Sequence, residues 1–181
     1  VAGGGAARRP PVPNRDPRCD AGDVVAAVRM AGGTVVATGG CFDLLHTGHL
    51  ATLQAARRLG DCLVVLINSD DSVAMLKGPD RPLTPQADRA RLVGALDCVD
   101  AVVIFDETAP DATLSRLKPD IWVKGGDYSG DGPLSLPEAD LVRSWGGQSV
   151  LTPYLTGRST TAMIAAARDS RATMPASGTG T

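Results

Sequence analysis

Short apolar runs alternate with segments of helical periodicity along most of the chain. The clearest run, Cys62 to Ile67, is apolar at every position, as expected of a strand that is covered on both faces of a sheet. Another run, Thr34 to Thr38, precedes a segment from Leu50 to Leu59 whose apolar residues fall on one stripe of a helix. This alternation predicts an α/β fold: a doubly wound parallel sheet of five strands with flanking helices.

Further strands and helix starts follow from the same pattern. Asp20 is predicted to cap a first helix. Asp71 or Ser72 is predicted to cap a short helix that ends at Leu76. Thr84 and Pro85 together predict the start of a helix that runs to about residue 96. The other strands are predicted at 101–105, 121–123 and 149–151, and the other helices at 110–117, 137–145 and 162–168.

Composition adds the domain boundaries and excludes several classes of function. Residues 1–18 are rich in Gly, Ala, Pro and Arg, and residues 169–181 are small and polar, so both are predicted to be disordered tails around one domain at 19–168. A net charge of −2 argues against bulk binding to nucleic acid or to an anionic membrane. No apolar run approaches the roughly 20 residues of a membrane span. The four cysteines lack zinc-site spacing and suggest reduced thiols in the cytoplasm.

The stretch from Gly39 to His49 carries most of the candidate chemistry. Both histidines of the chain lie in it, with His46 and His49 separated by Thr47 and Gly48. The first N–H groups of a helix are unpaired and carry roughly half a positive charge, and a glycine lets phosphate oxygens come close to them. A structural role for the histidines would not explain why a strand, a double glycine, two histidines and a helix start coincide. The stretch therefore predicts a triphosphate site.

Other polar clusters also follow predicted strands. They are Asn68-Ser69-Asp70, Asp106-Glu107 and Lys124-Gly125-Gly126-Asp127. Because the carboxyl ends of parallel strands meet at one edge of a sheet, these clusters are expected to share a site with the histidines. Positioning and charge neutralisation are the main requirements of nucleotidyl transfer, in which a phosphate attacks the α-phosphate of a nucleoside triphosphate and pyrophosphate leaves.

Several residues suit that reaction, each with an alternative role. Lys77, on a loop, could fold over the β- and γ-phosphates. Mg²⁺ is expected to bridge phosphate oxygens without an all-protein cage, and Asp43 could contact the ion or instead cap the turn at Leu44-Leu45. Cys41 is interpreted as a small residue whose backbone N–H faces phosphate, since a thiol nucleophile has no task in direct transfer between phosphates.

Two more cationic residues and one segment in the C-terminal part of the sequence complete the candidate site residues. Arg89 could bind the acceptor's phosphate through a bidentate fork, or could lie on a solvated helix face beside Asp88. Lys124 could contact a phosphate or a sugar. The segment Gly157–Thr161 offers hydroxyls and N–H groups at another helix start, as a second anion or ribose site or as a simple cap.

In this order, the motifs resemble the D-glycero-β-D-manno-heptose 1-phosphate adenylyltransferases, over about Gly32 to Arg168. The resemblance implies a Rossmann-like fold, ATP and a heptose 1-phosphate as substrates, ADP-heptose and pyrophosphate as products, Mg²⁺ as cofactor, and a homodimer or larger assembly. A separate sugar kinase is expected upstream, because the sequence contains no kinase half. The motifs are Gly40–His49, Asn68-Ser69-Asp70, Leu76-Lys77-Gly78, Arg81-Pro82, Arg89, Val123–Tyr128 and Ser159-Thr160-Thr161.

Together the motifs and the resemblance assign three groups of site residues. The catalytic group is His46, His49 and Lys77. The nucleotide-binding group is Gly40, Cys41, Phe42, His46, Gly48, His49, Lys124, Gly125, Gly157, Ser159, Thr160 and Thr161. The substrate-binding group is Asp43, Asn68, Arg81, Arg89 and Asp127.

Two other functions remain open. Glycerol-3-phosphate cytidylyltransferases share the histidine motif and the Ser-Thr-Thr ending, but they usually carry an arginine where this chain has Tyr154 or Leu155, and they typically lack the Lys-Gly-Gly-Asp-Tyr pattern. Arg158 and the Gly- and Pro-rich insert from Ser129 to Leu136 also depart from relatives of the chain. The alternative from another class is a nucleotide-binding regulatory module without catalysis.

Overall fold

A computed structural model describes residues 20–126, 138–153, 160–161 and 163–164. Six helices lie within the first two ranges: α1 (Ala21–Met30), α2 (Thr47–Arg57), α3 (Asp70–Lys77), α4 (Gln86–Gly94), α5 (Asp111–Leu117) and α6 (Ala139–Arg143). The five strands there are β1 (Val35–Gly40), β2 (Cys62–Asn68), β3 (Ala101–Phe105), β4 (Ile121–Gly126) and β5 (Gln148–Pro153). In the described part of the chain, no helix is long and apolar enough to cross a membrane.

The strands form one parallel sheet in the order β3-β2-β1-β4-β5. The chain winds outward from β1 through β2 to β3, and then returns to the other side of β1 with β4 and β5. The predicted doubly wound sheet is therefore confirmed, and its winding reverses between β1 and β4. In such sheets, ligands bind outside the carboxyl ends of the strands at this reversal.

Two apolar cores cover the two faces of the sheet. Alternate residues of β1 and β2 point to opposite faces, so that α1, α5 and α6 cover one face and α2 and α4 the other. Trp122 of β4 is almost fully buried on the first face. A side-chain carbon at Gly39 would lie 2.8 Å from the Trp122 ring, which explains the glycine at this position of β1.

At the amino-terminal ends of the strands, aspartates that precede one strand bind the backbone of the neighbouring strand. Asp61, before β2, accepts a hydrogen bond from Thr34 N–H, and Asp120, before β4, accepts one from Val35 N–H. Asp100, before β3, accepts one from Leu63 N–H. These carboxylates satisfy strand-end donors, so this edge of the sheet is structural and the opposite edge is available for chemistry.

Two predicted helix starts are wrong. Ser69, rather than Asp71 or Ser72, caps α3 by accepting a hydrogen bond from Ser72 N–H. At α4 the cap position is Pro85, with no side-chain cap, and the helix begins at Gln86. Thr84 does not cap α4; its N–H donates to the Asp43 carboxylate, and its carbonyl accepts a hydrogen bond from Arg89 within α4.

Candidate active site

Both histidines lie at the N-terminus of α2, where they cap the helix reciprocally. His46 is the N-cap residue, and its Nδ1 accepts hydrogen bonds from the N–H groups of Gly48 (3.1 Å) and His49 (3.4 Å). The N–H of His46 donates in turn to Nδ1 of His49 at 3.4 Å. Because each Nδ1 is an acceptor, each neutral ring carries its proton on Nε2. The chain thus presents two Nε2–H donors beside one helix start.

The two rings stack, with 3.9 Å between their centroids and 20° between their planes. Burial, and secondarily the charge that His46 would carry, lowers the pKa of His49 to about 4. At neutral pH His49 is therefore an uncharged hydrogen-bond donor rather than a cation. The Phe42 ring packs against the His49 ring, with 5.3 Å between the two ring centroids.

The helix start differs in one respect from the sequence-based expectation. The N–H groups of Gly48 and His49 were expected to be unpaired, but both donate to the ring of His46. These contacts are at the long end of the range for N–H hydrogen bonds, so they compensate the positive end of the helix dipole only in part. A phosphate at this position would meet polarised amides that the His46 ring already orients.

The loop between β1 and α2 is held in an unusual backbone conformation. Phe42 and Leu44 have positive φ angles of 51° and 47°, which side-chain-bearing residues rarely adopt. Between them, the buried carboxylate of Asp43 binds the connection between α3 and α4. It accepts hydrogen bonds from Arg81 Nε at 2.8 Å and from the N–H groups of Leu83 and Thr84 at 3.0 Å each.

These contacts determine what Asp43 can do. Burial alone would raise its pKa, but the hydrogen bonds from Leu83, Arg81 and Thr84 outweigh burial and hold the pKa below its usual value. The carboxylate does not cap the Leu44 turn, which was one expectation. Arg81, expected to bind substrate, pairs with it at 2.7 Å.

Arg89 is buried, and its guanidinium contacts only the protein. Nε donates to Thr84 O at 2.9 Å, Nη1 to the carbonyls of Cys41 and Asn68, and Nη2 to Asp70 Oδ1 at 2.7 Å. The expected alternative of a solvated face beside Asp88 is wrong, since the Arg89 side chain is 0% exposed. Nε and Nη1 bind backbone carbonyls and Nη2 binds the Asp70 carboxylate, so the expected fork toward an acceptor phosphate would have to break some of these contacts.

Cys41 and Asn68 lie beside this guanidinium. Asn68 is buried and donates to Ser72 Oγ at 2.9 Å, while the Cys41 thiol donates to Asn68 Oδ1 at 3.9 Å. Burial raises the pKa of the Cys41 thiol, with Lys77 and Arg89 acting in the opposite direction. A protonated thiol is a poor nucleophile, in agreement with the expectation that the Cys41 thiol has no nucleophilic task; that its backbone N–H faces phosphate stays a prediction.

Lys77 is the last residue of α3 and is exposed. It forms no ion pair with another described residue, but its positive charge acts to lower the pKa of the Cys41 thiol. Gly78 follows with φ of 98°, a conformation that a side-chain-bearing residue would adopt only with strain. The ammonium therefore lies on the site's side of the molecule, at the start of a chain segment that turns sharply.

Across the winding reversal, Lys124 of β4 pairs with Glu138. The ammonium contacts both carboxylate oxygens, at 2.8 and 3.0 Å, and the Glu138 side chain is 6% exposed. Sequence reasoning missed Glu138, whose only signal was its place at a predicted helix start. Thr160, distant in sequence, also contacts the loop between β1 and α2, because its hydroxyl donates to Asp43 O at 2.7 Å.

The structure thus gathers most of the predicted residues at one edge of the sheet. Gly40 and Gly125 end β1 and β4, and Thr161 is exposed beside Thr160. Asp127, Gly157 and Ser159 lie outside the described residues, as do both predicted tails.

The described residues do not form a metal cage. They contain no group of three or more His, Cys, Asp or Glu side chains that could hold a metal ion. Asp43, the carboxylate nearest the histidines in sequence, uses its oxygens for Arg81, Leu83 and Thr84. A protein ligand for Mg²⁺ therefore does not fit at Asp43, and the expected ion stays a prediction in which phosphate oxygens would supply the ligands.

The sequence and the fold of this chain both match known proteins. The model of the cytidylyltransferase-like family matches residues 37–140, more than half of the chain. The chain belongs to the cytidylyltransferase-like family. The matched range runs from β1 to α6 and contains the histidines, Lys77, Arg89 and Lys124.

Individual relatives of this cytidylyltransferase-like chain extend the match. It is 56% identical over 178 residues to "Bifunctional protein HldE" of Streptomyces coelicolor, covering 93% of this chain and 37% of that protein. It is 51% identical over 142 residues to the protein of the same name from Trichlorobacter lovleyi, covering 78% of this chain and 28% of that protein. The chain thus spans about a third of the length of these curated relatives.

A solved structure shares the fold. It is described as the lipopolysaccharide core biosynthesis protein from Thermoplasma volcanium, and it matches with a TM-score of 0.55 and 28% sequence identity. The match covers 68% of this chain and 98% of that one.

Proposed function

We propose that this chain is an adenylyltransferase that transfers AMP from ATP to a heptose 1-phosphate and releases pyrophosphate. The observation that carries the proposal is the stacked pair of imidazoles at the start of α2, at the reversal of the winding. The heptose motifs, including Lys124-Gly125-Gly126, and the similarity to proteins named HldE support the choice of acceptor.

The proposed reaction is an in-line displacement at phosphorus. An oxygen of the sugar phosphate forms a bond to the α-phosphorus of ATP while the bond to the bridging oxygen of the β-phosphate breaks, and that oxygen leaves with its electron pair in pyrophosphate. Nε2–H groups of His46 and His49 would donate to the triphosphate oxygens. Because His49 is neutral, it stabilises developing charge by hydrogen bonding without giving up a proton.

Two further groups would complete the charge balance. The amides at the start of α2 add a fixed partial positive charge, and Lys77 would bring a full charge to the β- and γ-phosphates. Lys77 is exposed and next to Gly78, so it can turn toward a bound tail without breaking an ion pair with the described residues.

The wider setting follows from the substrates. A kinase must supply the heptose 1-phosphate; the relatives' names describe two functions, which is compatible with a kinase on the same polypeptide as well as with a separate enzyme. The use of ATP as substrate is compatible with the predicted cytoplasmic location. The three free cysteines of the described residues are compatible with it as well. A homo-oligomer remains a prediction.

A panel of nucleotides tests the function. Purified protein would be mixed with ATP, CTP, GTP or UTP and with α- or β-heptose 1-phosphate or glycerol 3-phosphate, and pyrophosphate release would be followed together with the product mass. We expect turnover with ATP and a heptose 1-phosphate only. Turnover with CTP and glycerol 3-phosphate alone would favour a cytidylyltransferase, and ATP binding without pyrophosphate release would favour a regulatory module.

A further inference from the structure

The four partners of Arg89 come from different parts of the chain. Cys41 belongs to the loop that leads to His46, Asn68 ends β2, Thr84 precedes α4, and Asp70 begins α3. We call Arg89, Asp70 and the carbonyls of the other three residues the Arg89 cluster. Backbone carbonyls fix main-chain position more directly than side-chain contacts do, so the cluster determines how three chain segments lie relative to one another.

The segment that carries Lys77 is bound by this cluster at both of its ends. It starts after Asn68, runs through α3 to Lys77, and returns through the 78–83 loop to Thr84. The carbonyls of Asn68 and Thr84 both accept hydrogen bonds from the same guanidinium. The carbonyl of Cys41, on the histidine loop, accepts from it as well.

A second link between the same segments strengthens this arrangement. Asp43, on the histidine loop, accepts a hydrogen bond from Thr84 N–H, while Arg89 donates to Thr84 O. Thr84 is thus bound through both of its backbone groups. A planar guanidinium with several fixed N–H directions suits this task, whereas an ammonium is a point charge that cannot span three separate carbonyls.

We propose that Arg89 is a positioning residue that fixes Lys77 relative to the two histidines by binding the carbonyls of Cys41, Asn68 and Thr84. In this role Arg89 does not contact either substrate. The inference rests on the proposed adenylyl transfer for its kinetic meaning. Its geometric part, that the Lys77 segment and the histidine loop are coupled through Arg89, is independent of the reaction.

The kinetic test is Arg89→Lys, with Arg91→Lys as the matched control on the exposed face of the same helix. Misplaced groups slow the chemical step, so we expect kcat to fall about 30-fold or more in Arg89→Lys, with both KM values within about threefold of the wild type. The control should behave as the wild type. A selective rise in KM for the sugar phosphate at normal kcat would show direct binding and overturn the proposal. A lower Tm with unchanged kcat of the folded protein would show a purely stabilising role and would also overturn it.

Hydrogen exchange provides a readout that needs no turnover. In Arg89→Lys, amides of residues 41–49 and 69–84 should lose protection together, by about tenfold or more, while those of β4 and β5 stay as in the wild type. Unchanged protection in either segment would contradict the coupling. If the wild type releases no pyrophosphate in the nucleotide panel, the proposed function fails, and this exchange experiment still decides the coupling.

Asp70→Asn covers the case in which Arg89→Lys does not fold. It removes the charge beside the guanidinium and leaves the three carbonyls in place. We expect the same pattern in weaker form, with kcat lowered about threefold and KM values unchanged. An effect on the KM for the sugar phosphate alone would overturn the positioning role.

Discussion

Lys77 and Arg89 are two cations for which the sequence suggested the same task, the binding of phosphate, yet the fold gives them opposite surroundings. Arg89 has no exposed side-chain surface, and each contact in its cluster is with the protein. Lys77 is exposed at the end of α3, next to a glycine with a positive φ angle. One charge is part of the framework, and the other is available to a ligand.

This difference would make the proposed phosphate site rigid in its framework and adaptable at its exposed cation. A buried guanidinium that binds carbonyls organises the loops before any substrate arrives, which lowers the entropy lost on binding. An exposed ammonium on a turning segment is free to follow the phosphate tail, at the cost of ordering its own side chain. The comparison predicts that a change at Arg89 affects both stability and catalysis, whereas a change at Lys77 affects catalysis alone.

The largest expected effect is on stability. Arg89→Ala removes a buried charge and leaves the carbonyls of Cys41, Asn68 and Thr84 without their donors, so we expect it to lower the free energy of unfolding by about 3–5 kcal/mol. Lys77→Ala should change it by less than about 0.5 kcal/mol, because the site is exposed. Denaturant unfolding of both variants measures this, and equal losses would invalidate the comparison.

His49→Ala is expected to have the next largest effect, on turnover. Losing one donor to developing phosphate charge should lower kcat about 100-fold or more, with the fold intact. Thr47→Ala, at an exposed position of the same turn, is the control. Pyrophosphate release and circular dichroism on both proteins check the prediction, and near-normal turnover would mean that the imidazole is structural.

Lys77→Ala should affect activity and leave stability unchanged. Without the ammonium, the β- and γ-phosphates lose one charge-assisted contact, and we expect kcat/KM for ATP to fall roughly 30-fold. Arg91→Ala removes an equally exposed positive charge from α4 and should have no such effect. If both variants lost activity alike, the general positive field rather than a specific contact would be responsible.

The smallest expected effect is the dependence of stability on pH. The pKa of His49 is lowered to about 4 in the folded protein from 6.5. Between these pH values, the unfolded chain binds the proton more readily, so stability should fall as the pH drops, by on the order of 2 kcal/mol between pH 7 and pH 4. The lowered pKa of Asp43 adds a further loss only in more acidic solution, as pH falls below its ordinary value.

The control for this pH dependence is His49→Ala, whose unfolding free energy should vary less with pH across the same window. Chemical denaturation at several pH values gives both curves. Identical slopes for the variant and the wild type would assign the acid sensitivity to other groups.

The fold could be predicted closely because its signals are local. The fully apolar run of β2 and the glycines after β1 each restrict the chain within a few residues, and the strand–helix alternation leaves few possible topologies. The errors at α3 and α4 came from caps. At Thr84, a hydrogen bond to Asp43, which is distant in sequence, and one from Arg89, five residues further along in α4, replaced the local capping preference.

The site could be predicted only in part, for the same reason. Spacing brought His46 and His49 together because both lie within one helical turn, so no long-range contact was needed. The sequence did not indicate which groups the charged side chains bind. Nothing near Lys124 in sequence indicates Glu138, and nothing near Arg89 indicates the Cys41 carbonyl. The deciding contacts join a helix or a strand to residues from another part of the chain, and the local sequence does not indicate such partners.

The sequence by itself determined the parallel doubly wound sheet, the helix that opens on two histidines, and the chemical character of the edge where they lie. Only the tertiary structure decided which charged groups belong to the framework and which face a ligand. The physical reason is burial: a charged side chain inside the protein must find partners there, and the folded arrangement of loops determines whether carbonyls or substrate phosphates meet it.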